Sequence, residues 1–162
     1  MKTVLFFFSL IVGSGELMAA HLEKSKAFFQ NLSLEKMDLV DDFYASDIIF
    51  QDPIHKLSSL DALKSYYKNL YSNVSSIRFE YGNSFESGSH VTLEWKMFLK
   101  TPAFNSGNEI IVDGVSLIEF NSAGKAFKHR DYFDMGEFVY ERITILGSII
   151  RYIKNRMAGT DK

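Results

Sequence analysis

The stretch Val91-Thr92-Leu93-Glu94-Trp95-Lys96-Met97 alternates apolar and polar residues without a break. A period of two puts successive side chains on opposite faces of a strand. Ile77-Arg78-Phe79-Glu80-Tyr81 repeats the alternation, and residues 109–120 and 125–134 carry it downstream. Three turn clusters separate the segments: Glu86-Ser87-Gly88-Ser89, Asn105-Ser106-Gly107-Asn108 and Asn121-Ser122-Ala123-Gly124. They are rich in the residues that close short loops. Four long strands joined by such loops form an antiparallel meander.

Upstream of Asn73 the period is helical. Ala27, Phe28 and Leu32, then Leu34, Met37, Leu39, Val40, Phe43 and Tyr44, predict helices over 23–31 and 34–44. Asp47-Ile48-Ile49-Phe50-Gln51 reads as a strand that Pro53 ends. Ser59 is placed to cap a helix over 59–72, with an apolar face of Leu60, Leu63, Tyr66, Tyr67, Leu70 and Tyr71. A last helix over 136–157 ends in Arg151, Lys154 and Arg156, which suits a helix C-terminus. Helices followed by a meander make an α+β domain. A long bent sheet wrapped around helices forms a cone open at one end, a natural small-molecule pocket.

Composition narrows the function. The 162 residues carry a net charge of -2, no Cys, and 15% aromatic residues. That balance excludes a strongly basic nucleic-acid binder. The lack of Cys excludes disulfides, thiolate catalysis and Cys-ligated metal sites. His21, His55, His90 and His129 show no ligand spacing, so no metal is expected. There is no Gly-rich phosphate loop, dinucleotide fingerprint or Gly-x-Ser-x-Gly elbow, so no cofactor is expected either.

Residues 1–20 have two leading readings, with a real hydrophobic N-terminal arm as the third. Val4–Val12 is apolar except for Ser9, follows Lys2, and resembles the core of a signal peptide. Alternatively, Gly15-Glu16-Leu17-Met18 is a translated ribosome-binding site ahead of a true start at Met18. The first reading implies a periplasmic or secreted protein, the second a cytoplasmic one, which is slightly favoured. No repeat or linker interrupts 21–158, which reads as one domain.

Two passages carry a family resemblance. One is Phe50-Gln51-Asp52-Pro53 before Leu60-Asp61-Ala62-Leu63. The other is Gly124-Lys125 leading to His129-Arg130-Asp131-Tyr132-Phe133-Asp134 and then Glu137-Phe138. Together they resemble the SnoaL-like and limonene-epoxide-hydrolase-like branch of the NTF2-like superfamily, over about residues 23–140. The final segment, with Tyr140, Gly147 and Arg151, is similar to bacterial SnoaL-like proteins. The resemblance implies an NTF2-like cone and a small hydrophobic ligand. It also implies a homodimer through the sheet face.

In the epoxide hydrolases an Asp-Arg-Asp triad activates water, helped by a Tyr and an Asn. The resemblance maps one triad Asp to Asp131, the Arg and the other Asp to Glu94 and Lys96, the Tyr to Phe50 and the Asn to Asp52. One of the three triad residues is kept and two swap charge type, which departs from that reaction. With Asp131 facing inward, Glu94, Lys96 and Phe98 are expected to join it, along with Ile110, Val112, Gly114 and Ser116. The candidate catalytic set is therefore Asp131 as base, Lys96 as its electrostatic partner, and Glu94 or His129 as auxiliary. Phe50, Asp52, Phe98, Ile110, Val112, Phe133 and Phe138 are the candidate substrate-binding residues.

The plain alternation conflicts with this phase. It buries Leu93, Trp95, Met97 and Leu99 and leaves Glu94 and Lys96 in solvent. Both views hold together only if a partner covers the outer face. Structural roles also compete: Asp131 as a sheet residue paired with Lys96 or Arg130, His129 as a hydrogen-bonded core residue, Asp52 as a turn residue. Three functions follow. One is an isomerase, cyclase, dehydratase or hydratase using a pocket Asp. The others are a non-catalytic binder of a small lipid or isoprenoid, and a dimeric interaction module with no ligand. The basic end of the last helix offers contact with an anionic membrane surface, though such an end is more often only a favourable terminus.

Overall fold

The computed structural model describes residues 20–102, 105–142 and 144–159. All three readings of the N-terminal segment fall on residues outside that range, apart from Ala20. Helix α1 (Ala20–Asn31) buries Leu22 and Phe28. The Phe28 ring stacks on Phe43 at 4.2 Å. The chain then makes a 3-10 turn, Leu34–Lys36, and a short helix α2 (Asp38–Phe43). The single helix expected over 34–44 is thus two pieces, and strand β1 (Tyr44–Gln51) begins where it was to end.

Strand β2 (Lys56–Leu57) is a two-residue return beside β1. Helix α3 (Leu60–Ser72) starts as its sequence predicts, with the Ser59 hydroxyl accepting from the Ala62 N–H at 3.3 Å. The strands that follow are β3 (Ser76–Tyr81), β4 (Phe85–Ser87), β5 (His90–Lys100), β6 (Ile110–Phe120) and β7 (Ala126–Phe133). The turn between β6 and β7 is closed by Asn121, whose Oδ1 accepts from the N–H groups of Ala123 and Lys125, each at 3.0 Å. Gly124 supplies the positive φ of 69° that this turn needs.

The sheet runs β2-β1-β7-β6-β5-β3, with β4 also pairing to β5. β1 and β7 are parallel; the other pairs are antiparallel. The sheet is curved and unclosed, with helices against its hollow side, an α+β architecture of the NTF2-like type.

Register settles which residues face inward. Leu93 lies opposite Ser116, Trp95 opposite Gly114 and Met97 opposite Val112. Ser116 in turn lies opposite Asp131, and Gly114 opposite Phe133. Directly opposed residues point to the same side of a sheet. The concave face therefore holds Leu93, Trp95, Met97 and Leu99 together with Asp131 and Phe133. Glu94, Lys96 and Phe98 are on the convex face, which corrects the phase the resemblance suggested. The apolar alternation prevails, because shifting a strand by one residue would expose its whole apolar set. Leu93, Trp95 and Leu99 are buried and Met97 half-buried within one copy of the chain, so this stripe needs no partner to cover it.

The last helix also differs from expectation. The span 136–157 breaks into α4 (Met135–Phe138), a 3-10 turn at Tyr140–Arg142 and α5 (Thr144–Ala158). Close packing at Gly147 holds the break: a Cβ there would lie 2.2 Å from the Glu141 carbonyl oxygen. Arg151 donates to that carbonyl at 3.1 Å, and Lys154 to the Glu141 carboxylate at 2.5 Å. The polar side of α5 thus anchors it, while Ile145, Ile149 and Met157 face outward. No helix among the described residues is long and apolar enough to cross a membrane.

Trp95 is the only tryptophan in the chain, and the six-membered ring of its indole packs against Gly114. A Cβ at position 114 would come within 2.2 Å of the ring. We expect Gly114→Ala to displace the indole and cost about 1–3 kcal/mol, as overpacking does. Urea melts with the tryptophan emission maximum as reporter will check this. Wild-type stability and emission in the variant would contradict it.

Candidate functional site

Helix α3 closes over the concave face and leaves a cavity of about 310 Å³. Phe29 comes from α1, Tyr66 and Tyr67 from α3, Phe79 from β3, Trp95 from β5 and Phe133 from β7. The wall is largely apolar, and two carboxylates, Asp52 and Asp131, open onto it.

Asp131 is the end point of two chains of donors. On one side the Trp95 Nε1–H donates to Ser116 Oγ at 2.9 Å, and the Ser116 hydroxyl donates to Asp131 Oδ1 at 2.5 Å. On the other, His129 Nε2 lies 2.8 Å from the same Oδ1. A carboxylate only accepts, so Nε2 carries the proton. In the neutral imidazole Nδ1 then accepts from the Tyr44 hydroxyl at 2.7 Å, and Tyr44 Oη accepts from Tyr67 at 3.0 Å. His129 is 1% exposed and wedged between rings, stacked on Tyr44 and edge-on to Phe50. All of these bonds fall on Oδ1. Oδ2 takes none of them, and Asp131 borders the cavity.

Asp52 is held differently. Its Oδ1 accepts from the N–H groups of Ile54 and His55 at 2.7 and 2.6 Å, and its Oδ2 accepts from the Tyr66 hydroxyl at 2.5 Å. It is a turn residue and a cavity residue at once, so the two readings of its sequence position combine.

The other candidates separate by face. Phe50, Phe133 and Phe138 border the cavity, with Phe138 edge-on to Phe133 at 5.7 Å. Ile110 and Val112 are fully buried on the inward face without bordering it. Lys96 instead donates to Asp113 at 2.7 Å across the convex face. That hydrogen bond holds the Lys96 ammonium above its ordinary pKa. Glu94 accepts from the Asn83 N–H at 2.8 Å. Phe98 lies beneath the Arg78 guanidinium, 3.4 Å from its ring centre. The compact Glu94-Lys96-Asp131 cluster is therefore not formed: β5 turns Glu94 and Lys96 away from Asp131.

Four members of the network were absent from the candidate set: Tyr44, Tyr67, Trp95 and Ser116. Ser116 carried a usable signal, since it is the one polar residue in the inward series Ile110, Val112, Ser116, Ile118. Tyr44 carried none, because a residue ending a helical pattern gives no hint of a partner 85 positions away.

Residues 26–129 match the model of the SnoaL-like domain, nearly two thirds of the chain. The chain belongs to the SnoaL-like family. Solved structures repeat its fold at low identity. An LEH-like epoxide hydrolase of Mycobacterium tuberculosis is 16% identical with a TM-score of 0.63, covering 75% of this chain and 84% of that one. A candidate SnoaL-like polyketide cyclase from Shewanella denitrificans OS-217 is 15% identical with a TM-score of 0.64, covering 80% and 97%. An NTF2-like protein of unknown function from Burkholderia pseudomallei K96243 is 16% identical with a TM-score of 0.64, covering 77% and 95%. No curated protein matches the sequence. At these identities the likeness concerns the SnoaL-like fold alone.

The tyrosines of this SnoaL-like cavity make its stability sensitive to alkali. Burial, above all, raises the phenols of Tyr44, Tyr66, Tyr67 and Tyr71, and it pushes Tyr81 up to about 12. The folded state thus holds these protons more tightly than the unfolded chain, where tyrosine ionises near about 10. Their contribution is complete below that value and is lost as pH rises through the folded values. Absorbance at 295 nm and far-UV dichroism should therefore change together above about pH 10. Ionisation of all eight tyrosines near the free value with dichroism intact would contradict this.

Proposed function

We propose that this SnoaL-like domain is a cofactor-independent enzyme that uses Asp131 as a general base on a small hydrophobic substrate. The observation that carries the reading is a carboxylate that borders an aromatic-lined cavity and is held through Oδ1, which leaves Oδ2 clear of those bonds. A base held in one orientation spends little on reorganisation when the proton moves. Oδ2 takes a proton from carbon or from water. Ser116 and His129 keep their bonds to Oδ1 throughout and act as positioning residues. The reaction classes this serves are isomerisation, cyclisation, dehydration and hydration.

Lys96 and Glu94 have no part in this scheme, because both side chains stand on the other face of β5. Water activation by an Asp-Arg-Asp triad is not supported either. The inward positions across from Asp131 hold Ser116 and then Leu93, with no arginine.

The test uses a generic carbon acid, 5-nitrobenzisoxazole. A base removes its C3 proton, the C–H electron pair forms the nitrile as the N–O bond breaks, and the product is a coloured phenolate. Wild type should turn it over with kcat/KM about 10²–10⁴-fold above Asp131→Asn, the usual range for a positioned base. Quenching of Trp95 fluorescence reports binding of the same compound. Equal turnover in both proteins removes Asp131 as the base. Binding in both proteins without turnover in either favours the non-catalytic binder.

A further inference from the structure

The charge of the cavity wall restricts what it can hold. Among the described residues, ten of the 23 that line it are aromatic, two are aspartates, and none is Lys, Arg or His. Asp52 is satisfied by two backbone N–H groups and a phenol. Asp131 is satisfied by a hydroxyl and an imidazole. These donors orient the two carboxylates, and no Lys or Arg lines the cavity to cancel their charge. A carboxylate held in apolar surroundings without a counter-charge is costly, so the cavity favours a positive guest.

The rings favour the same guest. An aromatic face carries negative quadrupolar charge and attracts an ammonium within about 6 Å of its centre, more strongly once water is excluded. Tyr66, Tyr67, Phe79, Trp95 and Phe133 supply such rings around the space that Asp131 faces. The surrounding phenols respond to the same negative field. After burial and the hydrogen bond to Asp52, the charges of Asp52 and Asp131 further raise Tyr66.

We propose that the cavity is built for a compact organic cation, a tertiary or quaternary ammonium on a small apolar frame, with its charge set between Asp131 Oδ2 and the aromatic wall. This names the substrate class of the site described above. It rests on that reading's choice of cavity, and base catalysis is not required for it.

The experiment compares three probes of nearly the same shape: phenyltrimethylammonium, its neutral carbon isostere tert-butylbenzene, and the anion benzenesulfonate. Trp95 lines the cavity and is the only tryptophan, so its quenching gives the dissociation constants in wild-type protein at fixed ionic strength. The cation should bind at least tenfold more tightly than tert-butylbenzene, with benzenesulfonate weakest. Asp131→Asn should cut the cation's advantage at least threefold and leave tert-butylbenzene within twofold of wild type. An advantage below tenfold, a preference for the neutral isostere, or no binding of any probe overturns the proposal. The wild-type comparison decides the matter alone if Asp131→Asn does not fold. Turnover of 5-nitrobenzisoxazole without cation preference would keep the base reading and remove this one; cation preference without turnover would do the reverse.

Discussion

One carboxylate oxygen organises this domain. Asp131 Oδ1 receives a hydroxyl from β6 and an imidazole from its own strand. Behind those donors stand an indole from β5, a phenol at the start of β1 and a second phenol from α3. The indole donates to the hydroxyl and the hydroxyl to the carboxylate, while the two phenols and the imidazole form the second branch. A buried polar group left without its partner costs about 1–3 kcal/mol. Among the described residues no buried side-chain nitrogen or oxygen is unpaired. The network fixes the phase of three strands and the seat of α3, and it leaves Oδ2 clear of its bonds.

The apolar packing supports this arrangement. Tyr44, Phe50 and Phe29 crowd the His129 ring and keep water from competing for its bonds. Hydrogen bonds in such surroundings are stronger than in water, and so is the penalty for losing one. Gly114 makes room for the Trp95 ring that starts the other branch. Core and site are thus the same set of residues here, and a change to one is felt by the other.

How much of this could be read in the sequence depended on the range of the interaction. The strands, the Ser59 cap and the Asn121–Gly124 turn are local and were legible from periodicity and turn chemistry. Asp131, His129, Asp52, Phe133 and Phe138 were placed through the family motif. Lys96 and Glu94 were misplaced because the residue-to-residue match across β5 was off by one, and strands do not tolerate that error. The alternation of Leu93, Trp95, Met97 and Leu99 held the right phase throughout. Tyr44 and Tyr67 stayed hidden because their roles come from contacts that only the folded sheet makes.

The parallel pairing of β1 with β7 also bears on how the chain reaches its native state. The meander β5-β6-β7 can form from neighbouring hairpins, but β1 must find the last strand of that meander, at the far end of the sheet-forming chain. The Tyr44–His129 bond spans 85 positions. Contacts of that separation close late, because the entropy of a long loop must be met before they return anything. Ser116 and His129 therefore meet Asp131 when the β6–β7 hairpin forms, while Tyr44 joins His129 only in the closing steps of folding. Until then Asp131 has its two donors, but the imidazole behind it lacks the phenol that fixes its far side.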